Sequence, residues 1–213
     1  MKLNKRILIG ILSSISIHLT LAQEQFGQDQ PSSDPSLPEP IIAFMGSDDQ
    51  HPFGKKNDRM PEELQQFGQL IGVWKMTSHA FYQEKWYSGW PSYWAWKYAL
   101  DGTVVLDYFY QSKEDFPPVV PKNYDTHGMN VRVYDQDTDS WKITWVSNSG
   151  PESRISAKYI NQEIHMKSMG QDSTQWRIIF SEITQDSFKW RQESRSESGD
   201  WTFQQYLTGV RIK

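Results

Sequence analysis

Asp107 sits in the run VVLDYFY, with Val105 and Phe109 two residues to either side. In a strand those three side chains share a face. An acid in such company either lies on a solvated surface or points inward, where it must be paired or protonated. Arg132 is the candidate partner. In MNVRVYD, Asn130, Arg132 and Tyr134 share one face and Met129, Val131 and Val133 the other. The second set has the composition of a core and would send Arg132 outward; Tyr134 on its own face allows the reverse. Arg191 and Glu193 alternate with Trp190 and Gln192. As a surface ion pair they contribute little. Inside a closed fold the pair is costly unless well hydrogen-bonded, and would mark a polar ligand group. Asp107, Arg191 and Glu193 are the catalytic candidates, with no reaction assigned.

Aromatic rings supply the other chemistry. The chain has ten tryptophans and ten tyrosines. Trp94, Trp96 and Tyr98 fall on one face of YWAWKYA, either as packed core or as the wall of an apolar pocket. Trp145, from a strand with Trp141 and Ile143 on the same face, and Trp190 extend that wall. With Asp107 and Arg132 as polar anchors, these residues form the ligand-binding set. The histidines are His18, His51, His79, His127 and His165, and none has the spacing of a metal site. No metal and no cofactor is expected. A glycine-rich phosphate loop and a G-x-S-x-G elbow are also missing from the sequence.

Strands must position these groups. From Trp74 the hydrophobic period is two, in segments near 73–83, 92–99, 103–111, 128–135, 140–147, 153–160, 163–168, 174–182, 187–195 and 201–211. Turn signals divide them: DG at 101–102, DQDTDS at 135–140, NQ at 161–162 and SESGD at 196–200. Short connections favour neighbour-to-neighbour pairing, and closure removes the exposed edges. The expectation is all-β: an antiparallel meander closed into a barrel of eight to ten strands, with a sandwich as the alternative. MPEELQQFGQLIG at 60–72 predicts a short N-terminal helix, with Leu64, Phe67 and Leu70 at helical spacing. Two stretches are expected as loops: the proline-rich 112–127, either an ordinary loop or a cover for one barrel mouth, and EKWYSGWPS at 84–92.

Gly72-x-Trp74 opens the first strand and Arg211 lies in the last. This pairing resembles the calycin arrangement of lipocalins and fatty-acid-binding proteins. The resemblance implies that Arg211 packs across Trp74 and closes the barrel base. A guanidinium can do so while donating to backbone carbonyls. The stretches LIGVWKM, WAWKYALDGTVVLDYF, GMNVRVYDQDTDSWKITWV and WRIIFSEITQDSFKWRQESRSESGDW, with the closing RIK, resemble bacterial lipocalin-like domains of uncharacterised function related to the DUF1579 group. That likeness implies a barrel with a buried pocket and no particular reaction.

MKLNKRILIGILSSISIHLTLA reads as a signal peptide over 1–22: a basic start, a short apolar run, and small residues before the cut. It implies a secreted or periplasmic protein, with no transmembrane segment once the signal is removed. Residues 23–59 read as a flexible Pro/Ser/Gln-rich arm, in which IIAF at 41–44 could dock on the domain at 60–213. The net charge of −4 and the absence of a basic run argue against nucleic acid. With no cysteine, the core must hold the fold. Three functions remain open. They are a secreted binder of a small apolar or aromatic molecule, an enzyme using a buried carboxylate or histidine in the same cavity, and an interaction module with a filled barrel. The oligomeric state is open.

Overall fold

The computed structural model describes residues 37–45, 50–119, 121–169 and 175–213. The expected signal peptide and the first part of the arm lie outside these residues. Ten strands form one closed barrel: β1 (Gly72–Tyr82), β2 (Lys85–Ala99), β3 (Val104–Gln111), β4 (Thr126–Asp135), β5 (Ser140–Ser147), β6 (Gly150–Ile160), β7 (Glu163–Ser168), β8 (Trp176–Ser181), β9 (Ser187–Arg195) and β10 (Trp201–Arg211). Each pairs antiparallel with its sequence neighbours, and β1 closes on β10 with Trp74 opposite Arg211. The sandwich is excluded and the lipocalin-like barrel stands.

Local chemistry fixes the turns. Gln83–Glu84 and Asn161–Gln162 carry positive φ at both positions, 48° and 63° in the first and 51° and 67° in the second. Two-residue turns of that hand match the twist of the strands they join. The segment 84–92 is therefore not a loop: β2 begins at Lys85 and pairs with β1 through Trp86, Tyr87 and Ser88. Gly89 is skipped in the register, opposite the shift between Ser78 and His79. It marks a bulge, which is what a glycine inside a strand commonly signals.

Helices pack on the barrel at two places. On the outer wall, α1 (Glu39–Met45) buries Ile41 completely in a cluster with Val73 and Ala95. Phe44 stacks on Tyr108 at 5.5 Å and Lys97 donates to its carbonyl at 2.8 Å. The expected arm thus does not run clear of the barrel over its described part; even Tyr98 N–H donates to Phe53 O, at 2.8 Å. At the base, a 3-10 turn (Glu62–Leu64) runs into α2 (Gln65–Gly68), and Leu64, Phe67 and Leu70 are all fully buried. They enter the barrel with Trp74, Trp96, Trp141, Phe180 and Phe188, so the lower half is packed solid. Phe67 meets Trp141 edge to face at 4.8 Å and lies over Trp96 at 6.0 Å.

Candidate functional site

Gly72, Trp74 and Arg211 meet at the base. The Arg211 guanidinium lies 4.1 Å from the Trp74 ring centre and donates to the carbonyls of Gln69, at 2.9 Å, Ile71 and Gln185. Trp74 Nε1 donates to Leu70 O at 2.7 Å. Gly72 has φ +129°, and a Cβ there would stand 2.4 Å from both Arg211 Nη1 and Lys213 O. Only glycine allows the arginine to come this close.

Above this base the strands enclose a cavity of about 410 Å³. Alternation sends Trp94, Phe109, Asn130, Arg132, Trp145, Ile178, Trp190 and Gln192 into it. Phe116 and Lys122, from the proline-rich segment between β3 and β4, line it at the upper end. Gly128 makes room for one wall: a Cβ there would lie 1.9 Å from the Trp145 ring.

The cavity floor is a polar knot. Asp107 is fully buried and accepts from Trp94 Nε1 at 2.7 Å and from Asn130 Nδ2 at 3.0 Å through one oxygen. Its other oxygen is in direct contact with Arg132 Nη1. Arg132 is equally buried, its guanidinium 4.3 Å from the Trp96 ring centre and 4.7 Å from that of Phe67. Burial pulls the Arg132 pKa well below its ordinary value. A guanidinium nonetheless stays protonated in proteins, and the adjacent carboxylate and two π faces suit the charged form. The apolar set Met129, Val131 and Val133 faces outward, with Val133 exposed.

The remaining residues separate. Trp96 is fully buried in the packed base, below the cavity. Tyr98 lies lower still, 3.4 Å from Gln65 Oε1, and burial followed by the charge of Glu62 pushes its phenol up. Arg191 and Glu193 point to the outer wall, since Trp190 and Gln192 hold the inner positions of β9. There Arg191 Nε meets Glu193 Oε1 at 3.1 Å, and Arg177 pairs with the same carboxylate. The lumenal reading of this pair is corrected by simple alternation. Sequence reasoning missed Phe109, Asn130, Gln192 and Lys122 as lining residues. The first three share strand parity with Asp107, Arg132 and Trp190, so alternation could have found them; Lys122 sits in a loop and has no periodic signal. Among the described residues no group of three or more histidines and acids could hold a metal, and no helix is long and apolar enough to cross a membrane.

No family model matches the chain, and no curated protein matches it. Among solved structures, Rv2717c from M. tuberculosis superposes with a TM-score of 0.51 at 9% identity, covering 72% of this chain and 99% of its own. The S-type phycobiliprotein lyase CPES from Guillardia theta gives a TM-score of 0.47 at 11% identity, covering 69% and 90%. At 9% identity the likeness to the mycobacterial protein extends to the barrel fold alone.

Proposed function

We propose that this barrel is a binder of a small apolar or aromatic molecule in its upper lumen. The observation that carries the reading is a cavity of about 410 Å³ walled by Trp94, Phe109, Trp145, Trp176 and Trp190 over a fixed polar floor. That volume lies within the roughly 300–1,000 Å³ of small-molecule sites, and aromatic walls with few polar anchors are their usual lining. The cavity also speaks against the filled-barrel alternative.

The enzymatic alternative is weaker on the same ground. Among the described lining residues there is no carboxylate and no histidine. Asp107, the buried acid nearest the lumen, already accepts from Trp94 and Asn130 and touches Arg132. A carboxylate held against a guanidinium and absent from the cavity lining makes a poor general base. Export remains part of the proposal on the strength of residues 1–22, as does kinship with the uncharacterised lipocalin-like domains related to the DUF1579 group.

Four tryptophans around the cavity give the test its signal. Titration with a panel of bicyclic aromatics and medium-chain fatty acids is expected to quench intrinsic fluorescence saturably for at least one class. Replacing Trp190 by Leu should weaken that binding about tenfold, the scale of one aromatic ring removed from a buried site. If no class quenches, the binder reading fails.

A further inference from the structure

The charges that line the cavity are all of one sign. Arg132 and Lys122 are cationic, and Asn130, Gln111, Gln192, Gln205, Thr126 and Ser153 are neutral; among the described lining residues no acid answers them. The two cations differ in what they already hold. Arg132 is fully buried against Asp107, so its charge is balanced within the protein. Lys122 has no acidic partner among the described residues. Its ammonium lies 5.8 Å from the Phe116 ring centre and 5.6 Å from that of Tyr124. The side chain is half-buried on the segment that reaches over the upper end of the lumen.

An ammonium held beside aromatic faces, at the rim of an apolar cavity and with no counter-ion from the described chain, has a vacant electrostatic role. We infer that the ligand carries an anionic group, a carboxylate or sulfonate, at one end of a flat apolar body. Lys122 is the specificity residue that receives the anion. The body enters first, between Trp94, Trp145 and Trp190, and comes to rest on the neutral floor. The anionic end stays at the rim, where partial exposure to water keeps its desolvation cost small. This inference rests on the binder reading and adds to it a polarity, an orientation and a named residue.

The test uses 2-naphthoate and its neutral isostere 2-naphthamide, titrated by tryptophan quenching into the full chain and into Lys122→Gln. Lys189→Gln serves as control, since Lys189 lies on the outer wall paired with Glu182. Wild type should bind naphthoate about tenfold more tightly than naphthamide, the scale of one charge-assisted interaction at a partly shielded site. The preference should shrink as salt rises. Lys122→Gln should abolish the preference and leave naphthamide affinity unchanged; Lys122→Arg should keep it, and Lys189→Gln should change neither. Equal binding of the two probes by wild type, or a preference that survives Lys122→Gln, overturns the inference while the binder reading stands. Failure of both probes to bind wild type overturns the inference, and the binder reading falls with it only when the fatty acids and the other bicyclic aromatics also fail to quench.

Discussion

Asp107 shows how much depends on a single side chain. It joins three strands: its own, that of Trp94, and that of Asn130 and Arg132. Removing one partner of a buried ion pair leaves the other charge uncompensated and costs about 3–5 kcal/mol. Asp107→Asn should therefore lower the urea midpoint by an equivalent amount. Adding Arg132→Met should restore part of the loss but not all of it, because the amide now at position 107 still answers the Trp94 and Asn130 donors imperfectly. A double-mutant cycle checks this; simple additivity would mean that the two residues are not coupled. The pair was legible in the sequence only as a possibility. Apolar residues alternate with Arg132, and the ordinary rule would bury those instead. The rule fails because Asp107 faces the same interior and balances the arginine. That pairing is a matter of register between β3 and β4, with Asn130 opposite Asp107 and Arg132 opposite Val105, and no single strand reveals it.

At the scale of elements, most strand limits followed from turn residues, and period-two alternation identified all ten segments. The largest exception is β2. Gly89 and Pro91 read as loop formers, yet the glycine takes up a bulge and Pro91 sits opposite Thr77, past the end of the β2–β3 pairing. On that free edge a missing N–H costs no ladder bond. The docking of IIAF was expected from the sequence, but the helical form of α1 was not. A proline-rich context hid a short amphipathic turn whose apolar residues find Val73 and Ala95 only in three dimensions. Ile41→Ala should cost about 2–5 kcal/mol if the helix unfolds with the barrel as one unit. Limited proteolysis provides the comparison: cleavage near residue 41 should accelerate in the variant, and an unchanged rate would show that the docking carries little weight.

The whole molecule divides along the barrel axis. Below, Phe67 and its aromatic neighbours leave no room; above, Gln192 and the indoles surround open space. Phe67→Ala should cost about 3–5 kcal/mol, as large buried rings do. Gln192→Leu should stay within about 0.5 kcal/mol of wild type in stability, while altering affinity for whatever occupies the lumen. Chemical denaturation of both variants, paired with quenching titrations, would expose the contrast. Equal losses in both would mean that the two halves share one energetic role.

The floor formed by Trp94, Asp107, Asn130 and Arg132 stands between those halves, and it works as a firewall. Changes of side chain above it need not disturb the plug beneath, because the residues at the boundary hold mainly to one another across three strands. Under the proposed binding role, a lineage carrying this barrel could exchange one guest for another through a few substitutions near the rim, with the foundation left untouched.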